Sequence, residues 1–552
     1  MVKFENEIYA YVLENALLYE KAIESAVLPK LFQHGLEKQD INVVMPRIKE
    51  IVKEVNSFSE EKRNSMFEKY KEYIKEKQKQ EEGLKELPNV KAKPIFRMAP
   101  FPSGTLHIGN MKTYLLNALY AEKYKGKTLL VIDDTIGSEE KQITPEAYKL
   151  IPEAFNFLKV KYSKPILYKS DRLKIYYEYA EKMIQSENAY VCSCSQEKLR
   201  ENRIKQVECG CRIYPVKEQM KRWKKMFKAK QGSYILRIKT SMTYPDPAFR
   251  DRVLFRISDR KHPRVGKKYS VWPMLEFSWA IDDHLLNITH IIRGKELMIE
   301  GKMQKYIWDI FKWKHPELIY VGLVQLEGIK GKLSKSKSQK EVKSGEYIGW
   351  NDPRTWSVQS LEQRGILAES LREFVEKIGL NQNEISIPVD ELYAINRKHL
   401  DKNADRYYFV ENPIMISLDI LPVGEIEVKI HPEKDKTRKI KLNKEIFVQN
   451  SDFKELENKE VRLMHLCNIL LTKKARYTSS ENKPELRKIH WVSDGVKTRI
   501  MMPDGAYSFG IAESAVKKLK PGAIIQFERF GFCRFKGIDK KTKELEFWFA
   551  HN

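Results

Sequence analysis

The chain has 552 residues, several times the usual length of one domain, so we expect three or four domains. Its 42% hydrophobic and 32% charged residues are typical of a globular protein, and no uninterrupted apolar run is long enough to cross a bilayer. Glu5, Glu7 and Glu14 interrupt the start of the chain, which argues against a secretory signal peptide and predicts a protein of the cytoplasm with no membrane association.

The charge predicts a polyanionic partner. Lysine and arginine number 100 against 75 aspartates and glutamates, which leaves a formal net charge of +25. Residues 1–90 contain 15 basic and 17 acidic side chains, so the excess lies entirely in residues 91–552. Solubility, or adaptation to a hot or salty habitat, is the alternative explanation, but such an excess would be spread along the chain. Nucleic acid is therefore favoured.

Residues 1–90 are predicted to form an N-terminal helical domain. Apolar residues recur at helical spacing in residues 8–17 and 48–55, and a strongly charged stretch closes the segment. We interpret that stretch as a solvated helix, and Pro88 and Pro94 mark the boundary that follows it.

A β-α-β unit is predicted from residue 94. The runs PIFRM and TLLVIDD are typical of strands, APFPSGTLHIGN of a loop and MKTYLLNALYAEKYKG of a helix. The loop of such a unit meets the N-terminus of the helix, where unpaired N–H groups favour phosphate. Gly104 and Gly109 permit close backbone approach, and His107 can donate hydrogen bonds to phosphate oxygens. The loop is a candidate nucleotide site, although many such loops are simply turns.

Four of the six cysteines form two close pairs, Cys192 with Cys194 and Cys209 with Cys211. Two such pairs can supply four thiolates to a tetrahedral zinc ion, and four protein ligands leave no open position for a substrate. Disulfides or spare thiols are the alternatives, since the spacing is tighter than the usual Cys-x-x-Cys. Cys467 and Cys533 are interpreted as ordinary buried residues.

Two features follow in the second half of the chain. The run GKLSKSKS offers ammonium and hydroxyl donors that can stabilise the charge which builds up on a departing pyrophosphate, although a solvated loop is the usual meaning of such a run. After about residue 391, short runs such as IEVKI and KIKL alternate with turn residues and predict an all-β region.

Two motifs resemble the signatures of one enzyme family. RMAPFPSGTLHIGN is similar to the HIGH signature of class I aminoacyl-tRNA synthetases in its glutamyl and glutaminyl form, with Asn110 in place of the last histidine. Residues 332–336, KLSKS, resemble the KMSKS signature of the same family. Further stretches, including AFRDRVLFRIS and GWNDPRTWSVQSLEQRGI, look like archaeal glutamyl-tRNA synthetases, so the likeness extends over nearly the whole chain.

The resemblance implies a multidomain α/β protein with a Rossmann-type catalytic core, a helical N-terminal domain and C-terminal all-β barrels that bind the anticodon. Its implied divisions are a first catalytic half in 91–190, an acceptor-stem-binding insertion with a zinc knob in 191–260, a second catalytic half in 261–325, a KMSKS-type loop with a helical junction in 326–390, and the barrels in 391–552.

The resemblance also implies the chemistry and the residues that carry it. Glutamate attacks the α-phosphate of magnesium-ATP to form glutamyl-adenylate, and the terminal ribose hydroxyl of tRNA then displaces AMP. The implied catalytic residues are His107 and Lys335. The implied ATP-binding residues are Pro100, Gly104, His107, Gly109, Asn110, Lys332, Ser334, Lys335 and Ser336. The implied amino-acid-binding residues are Arg97, Ala99, Asp133, Leu275, Trp279 and Arg293, although Arg97 and Asp133 would also suit internal ion pairs.

The predicted function is that of a glutamate–tRNA ligase. A glutaminyl-tRNA synthetase shares both signatures, and a non-catalytic tRNA-binding paralogue is the alternative from another class. Phe101, Leu275 and Trp279 depart from the residues that the family usually has there, which we interpret as a pocket rebuilt around the same substrate. We expect a monomer whose partners are glutamate and its tRNA, with an N-terminal domain suited to binding another protein.

Overall fold

A computed structural model describes residues 4–37, 40–75, 83–137, 142–329 and 335–552. The chain divides into two compact units, Met1–Glu82 and Gly83–Asn552, which are treated separately below. Among the described helices, none combines the length and apolarity needed to cross a bilayer.

The first unit is helical, as predicted. Its helices are α1 (Glu5–Tyr19), α2 (Glu24–Leu31), α3 (Ile41–Asn56) and α4 (Glu60–Tyr70). Val44, Ile48, Ile51 and Val55 recur every three or four residues along α3, so they share one face and bury it. That face packs against apolar residues of α1 and α2 in a core of its own.

The second unit opens with the predicted β-α-β arrangement. Its first elements are β1 (Ile95–Met98), α5 (Ile108–Lys123), β2 (Lys127–Ile132), α6 (Ala147–Phe157), β3 (Ser163–Tyr168) and α7 (Leu173–Gln185). Strands β1 and β2 pair in parallel, with Ile95 opposite Lys127. Helix α5 crosses between them, and its apolar residues are buried on most sides, including Leu115, Leu116 and Tyr120.

An antiparallel sheet interrupts this core. Its elements are β4 (Ala189–Cys192), α8 (Gln196–Lys205), α9 (Val216–Met226), β5 (Ile235–Ile238), β6 (Val253–Ile257) and β7 (Val271–Pro273). The strands pair in chain order, β4-β5-β6-β7. Trp223 of α9 and Trp272 of β7 are fully buried in the core that this insertion shares with α7.

The chain then returns to the parallel sheet. Helix α10 (Leu275–Leu285), β8 (His290–Gly294), α11 (Met298–Ile310) and β9 (Glu317–Val321) complete it. The strand order is β3-β2-β1-β8-β9, and every neighbouring pair is parallel. Because all five strands run the same way, their carboxyl ends lie along one edge, where ligands of open α/β sheets bind.

A helical segment follows the sheet. It comprises β10 (Val324–Glu327), α12 (Lys335–Ser344), α13 (Val358–Arg364), α14 (Ala368–Ile378), β11 (Ile385–Pro388) and α15 (Val389–Leu400). Helix α15 occupies the start of the segment predicted to be all-β, because Val389, Leu392 and Ile395 form an apolar helical face. Strands therefore begin at Asp405 and not at residue 391.

The remainder is β-rich, as predicted. It contains one helix, α16 (Asn450–Leu456), which lies between β17 and β18 in the sequence. The strands are β12 (Asp405–Tyr407), β13 (Phe409–Glu411), β14 (Pro413–Leu418), β15 (Glu425–Lys429), β16 (Thr437–Lys441), β17 (Glu445–Gln449), β18 (Glu460–Leu463), β19 (Asn468–Leu470), β20 (Lys474–Ser479), β21 (Lys488–Ile489), β22 (Trp491–Val492), β23 (Gly495–Met501), β24 (Tyr507–Glu513), β25 (Ile524–Phe527), β26 (Gly531–Ile538) and β27 (Leu545–His551).

Fourteen of these strands build two seven-stranded sheets, and β15 and β16 form a separate antiparallel pair. One has the order β12-β25-β26-β27-β23-β24-β13, and the other has the order β21-β18-β19-β20-β14-β17-β22. Within each sheet the two edge strands are consecutive in the chain and are joined by a single residue, Tyr408 in the first and His490 in the second. An edge can meet the opposite edge in this way only if the sheet curls round, which is the geometry of a barrel.

Candidate active site

The loop between β1 and α5 ends in a capped helix. The backbone N–H of Gly109 donates to Nδ1 of His107 at 3.1 Å, and the N–H of His107 donates to Oδ1 of Asn110 at 3.0 Å. The two side chains thus close a capping box at the start of α5. Because Nδ1 of His107 accepts, the neutral ring carries its proton on Nε2. Asn110, which departs from the signature, has a structural use here.

Gly104 allows the same loop to pack tightly. Its φ is +132°, and a Cβ atom there would lie 2.4 Å from Cζ2 of Trp350. No residue with a side chain fits this position without displacing the indole. The loop is therefore held against the segment that follows α12.

That segment also pairs with the loop through its backbone. The N–H of Val358 donates to the carbonyl of Leu106 at 2.9 Å, and the N–H of Ile108 donates to the carbonyl of Trp356 at 3.3 Å. The start of α5 is thus fixed by hydrogen bonds to a stretch of chain more than 240 residues away in sequence. No pattern in the sequence indicates this pairing.

A cavity of about 600 Å³ opens at the carboxyl ends of β1 and β8. The structure brings together in its lining the predicted residues Arg97, Ala99, His107, Gly109, Asn110, Trp279 and Arg293. Four other predicted residues are not among the lining residues. They are Pro100, whose carbonyl accepts from the N–H of Asp133 at 3.0 Å, Gly104 against Trp350, the buried Asp133, and the half-buried Leu275 at the start of α10.

Arg97 forms a buried ion pair. Both its Nε and its Nη2 donate to the carboxylate of Asp283 on α10, the latter at 3.1 Å. Gln304 of α11 donates to the same carboxylate at 2.9 Å and accepts from Nη1 of Arg293 at 2.5 Å. A continuous chain of hydrogen bonds therefore links the two predicted arginines, and all four side chains are at least 95% buried.

Asp133 is also paired internally. Its Oδ2 lies 3.1 Å from Nζ of Lys169, and its Oδ1 accepts from the hydroxyl of Thr135 at 3.1 Å. Lys169 donates in addition to the hydroxyl of Ser278 at 2.8 Å. Burial lowers the pKa of Lys169, whereas the neighbouring Asp133 opposes that shift.

Arg293 is the exception among these cations. Arg97 and Lys169 each have an aspartate partner, and Arg172 pairs with Asp282 at 2.8 Å, but the hydrogen bond recorded for Arg293 goes to the neutral amide of Gln304. Burial lowers the pKa of Arg293. Among the described residues, Arg97, Lys169 and Arg172 thus contact carboxylates directly, whereas Arg293 reaches Asp283 only through Gln304.

Glycine at position 301 lets α11 approach Arg293. A Cβ atom on Gly301 would lie 1.8 Å from the hydroxyl of Tyr320 and 2.8 Å from Nη2 of Arg293. Tyr320 is the neighbour of Arg293 in the pairing of β8 with β9. The guanidinium is thus confined between a strand, a helix backbone and an aromatic ring.

Several residues of this network were missed by the sequence reasoning. They are Lys169, Ser278, Asp283, Gln304 and Tyr320. A weak signal existed for one of them, because Asp282 and Asp283 are two adjacent carboxylates in the otherwise apolar run SWAIDDHL.

The structure describes only part of the Lys/Ser-rich loop. Lys332 and Ser334 lie outside the described residues. Lys335 and Ser336 begin α12, and only their backbone is described.

The four paired cysteines converge in the insertion. All four Sγ atoms lie within 4.8 Å of one another, with Cys209 at 3.5 Å from Cys192 and 3.4 Å from Cys194. These distances are far longer than the roughly 2.05 Å of a disulfide bond. They fit a tetrahedral S₄ cage, since Zn–S bonds of about 2.3 Å put the sulfur atoms just under 4 Å apart. The donor set therefore suits zinc.

A second cavity, of about 830 Å³, lies beside this cluster in the same insertion. Arg200, Arg203, Arg256 and Arg260 line it, and none of its described lining residues is an aspartate or glutamate. Nε of Arg203 donates to the carbonyl of Arg250 at 3.0 Å, so this guanidinium is held by a neutral group. Such a surface suits phosphates.

Three family models match consecutive parts of the chain. The model described as the catalytic domain of "tRNA synthetases class I (E and Q)" matches residues 95–402. Two models described as the anti-codon binding domain of the same group match residues 404–490 and 488–536.

Curated relatives match over almost the whole chain. The glutamate–tRNA ligase of Methanocaldococcus jannaschii is 38% identical, with 98% of each chain covered. The enzyme with the same name from Pyrococcus abyssi is also 38% identical, with 96% of each chain covered. That of Methanothermobacter marburgensis is 35% identical, with 99% of each chain covered.

Proposed function

Because the chain belongs to the class I tRNA synthetases of the E and Q family, we propose that it is a glutamate–tRNA ligase. The reaction joins glutamate to the 3′ end of glutamate tRNA at the expense of magnesium-ATP. The observation that carries the choice of glutamate is the buried guanidinium of Arg293 at the cavity, which donates to the neutral amide of Gln304 and has two further donor atoms unpaired among the described residues.

The charge argument separates glutamate from glutamine. Zwitterionic glutamate has a net charge of −1 at neutral pH, whereas glutamine has none. A buried guanidinium with no carboxylate beside it is costly, and an acidic side chain would compensate it. A site built around such a group rejects an analogue that leaves it unpaired. Glutaminyl-tRNA synthetase remains the alternative function within the family.

In the proposed first step the α-carboxylate of glutamate attacks the α-phosphate of ATP and pyrophosphate leaves. His107 would donate from Nε2 to a phosphate oxygen, since its Nδ1 is already engaged by Gly109. Lys335, with Lys332, Ser334 and Ser336, would stabilise the charge on the leaving group. In the second step the ribose hydroxyl of tRNA attacks the adenylate carbonyl and AMP leaves. These steps need positioning more than a nucleophile.

The pairing of Asp133 bears on its role. The resemblance implies that Asp133 binds the amino acid, yet its carboxylate lies 3.1 Å from Nζ of Lys169. We therefore propose that Arg97 and Asp133 shape the site through their ion pairs, and that Arg293 makes the direct contact with the acidic side chain.

Binding of tRNA is proposed to involve the insertion and the barrels. The cysteine cluster, as a structural zinc site, would fix α8 beside the arginine-lined cavity, which would face phosphates of the acceptor end. The residues from 404 onward match models of anticodon-binding domains. Leu18, Tyr19 and Val43 are each at least 66% exposed, which supports the proposal that the N-terminal unit binds another protein. The expectation of a monomer stays a prediction.

The decisive experiment is aminoacylation of total archaeal tRNA with labelled glutamate and with labelled glutamine in parallel. We expect charging with glutamate at a kcat/KM at least one hundredfold higher. Equal or better charging with glutamine would favour the alternative. Absence of ATP–pyrophosphate exchange with tRNA present would favour a non-catalytic tRNA-binding paralogue.

A further inference from the structure

Trp279 stands among three cations at the wall of the active-site cavity. Its ring centroid lies 4.4 Å from the guanidinium carbon of Arg97, 5.0 Å from Nζ of Lys169 and 5.6 Å from the guanidinium carbon of Arg293. The side chain is almost completely buried, yet it borders the cavity together with Arg97 and Arg293. The negative face of an indole attracts cations, so the ring stabilises this arrangement.

Two buried side chains next to this cavity have donor atoms without an acceptor. Within the described parts of the chain, Nε1 of Trp279 and both Nε and Nη2 of Arg293 lack a hydrogen-bond partner. They come from different elements, α10 and β8, and belong to side chains that are 96% buried. Buried donors are normally paired in a folded protein, so unpaired donors on side chains that border a cavity are positioned to contact a bound ligand.

We propose that Trp279 is a specificity-determining residue, whose indole N–H donates to the same carboxylate of the bound amino acid that pairs with Arg293. This inference rests on the proposed function and names a further contact in that site. An indole N–H donates and never accepts, and neither does a guanidinium. A group with two acceptor oxygens can satisfy the donors of both side chains. A primary amide would turn its NH₂ towards one of them and leave it unpaired.

The neighbouring cations leave the recognition of the substrate carboxylate to Arg293 and the indole N–H, because they are already paired. Arg97 and Lys169 are already engaged by Asp283 and Asp133, so their charges are not available to a second anion. An asparagine or a tyrosine at position 279 could accept as well as donate, and would tolerate an amide. Tryptophan cannot accept a hydrogen bond and therefore disfavours an amide, while its ring covers the buried ion pairs of Arg97 and Lys169.

The test is Trp279→Phe, which keeps an aromatic ring and removes the N–H. We expect kcat/KM for glutamate to fall about tenfold or more, mainly through a higher KM, with glutamine charging little changed. The ratio of the two kcat/KM values should fall accordingly, while the KM for ATP stays within twofold. Trp272→Phe is the matched control, because Nε1 of this buried tryptophan also lacks a partner in the described structure but does not border the cavity.

Two further measurements guard against a variant that is merely unstable. Trp279→His keeps an N–H donor and should retain more of the kcat/KM for glutamate than the phenylalanine variant does. In wild-type protein with ¹⁵N-labelled tryptophan, one indole N–H resonance should shift on addition of glutamate and not of glutamine. Trp279 is the tryptophan that lines the cavity, which assigns that resonance.

The outcomes separate this inference from the proposed function. If wild-type protein charges glutamate and Trp279→Phe leaves the ratio unchanged, the contact with Trp279 is refuted while the function stands. An equal effect of Trp272→Phe, or no shifted indole resonance, would also overturn it. If the wild type prefers glutamine, the proposed function fails first.

Discussion

Gly104 lies directly under Trp350, with space for a hydrogen but not for a methyl group. We expect Gly104→Ala to slow ATP–pyrophosphate exchange, measured with tRNA present, by at least tenfold. The added Cβ would meet the indole at 2.4 Å, and alanine at a φ of +132° costs a further 1–3 kcal/mol or so. Both effects displace the loop that carries His107.

Two companion variants make this prediction specific. Gly424→Ala is the control, because nothing lies within 4 Å of a Cβ there and its φ is not in the left-handed region. Trp350→Leu added to Gly104→Ala should restore part of the rate, since it removes the clash and leaves the backbone strain. An unchanged exchange rate in Gly104→Ala would show that the loop tolerates displacement.

Lys335→Ala should slow adenylate formation far more than it weakens tRNA binding. Lys335 begins α12, and the proposed role is a contact made in the transition state, which is worth roughly 3 kcal/mol. Single-turnover kinetics and tRNA filter binding measure the two effects separately. Lys340→Ala, at an exposed position of the same helix, is the control. Loss of tRNA affinity at an unchanged single-turnover rate would contradict the assignment.

Arg293→Ala should reduce kcat/KM for glutamate and narrow its advantage over glutamine. The reason is that Arg293 is the buried cation whose recorded partner is a neutral amide, so its charge is free to act on the substrate. Arg293→Lys keeps a positive charge without the planar fork and should fall between wild type and alanine. Steady-state charging with each amino acid decides the matter, and equal losses for both substrates would speak against a selective contact.

Cys192→Ser should lower the metal content and disturb tRNA charging more than ATP binding. Freshly purified, reduced protein is expected to contain about one zinc per chain with sulfur-only coordination, visible by elemental analysis and X-ray absorption. Cys467→Ser is the matched control, a buried cysteine outside the cluster. Protein without zinc would rule out the metal site.

Lys112→Met should stabilise the protein below pH 8. Burial lowers the pKa of Lys112 to about 8, and its ammonium makes a weak hydrogen bond of 3.4 Å to the carbonyl of Gly322. The unfolded chain, with a pKa near 10.5, binds more protons between these values, so wild-type stability gains with rising pH there. Below pH 8 the charged side chain costs stability, roughly 1–2 kcal/mol after allowance for partial solvation.

Denaturant unfolding from pH 7 to pH 10 measures this difference. The free energy of unfolding of Lys112→Met should exceed that of wild type at pH 7, and the two should converge towards pH 10. Lys149→Met, at an 83% exposed side chain, should follow wild type throughout. Parallel curves for wild type and Lys112→Met would refute the linkage.

Local patterns in the sequence predicted the β-α-β unit and the family, and both are confirmed. The same patterns could not supply partners distant in the chain. Arg97 was recognised as a site residue, but its carboxylate partner, Asp283, lies 186 residues further on. Asn110 was recognised as a departure from the signature, and its role in capping α5 became visible only in the structure. Ion pairs between residues distant in the chain depend on tertiary geometry, which periodicity does not encode.

The start of the β region shows a second limit. The turn-rich composition after residue 391 predicted strands, whereas α15 continues to Leu400. Tertiary burial of Val389 and Leu392 stabilises that helix. A boundary set by packing cannot be located from composition alone.

Tyr408 and His490, the single residues at which the two barrels close, touch each other, with ring centroids 5.0 Å apart. The N–H of Tyr408 donates to the carboxylate of Glu513, and Nε2 of His490 lies 3.8 Å from the carboxylate of Glu528. If β12 separates from β13, or β21 from β22, the ring contact between Tyr408 and His490 is disturbed, and this contact supports the closure of both barrels. Amide hydrogen exchange in β12, β13, β21 and β22 should therefore follow one opening free energy. The edge strands of the two barrels would then unfold as one cooperative unit.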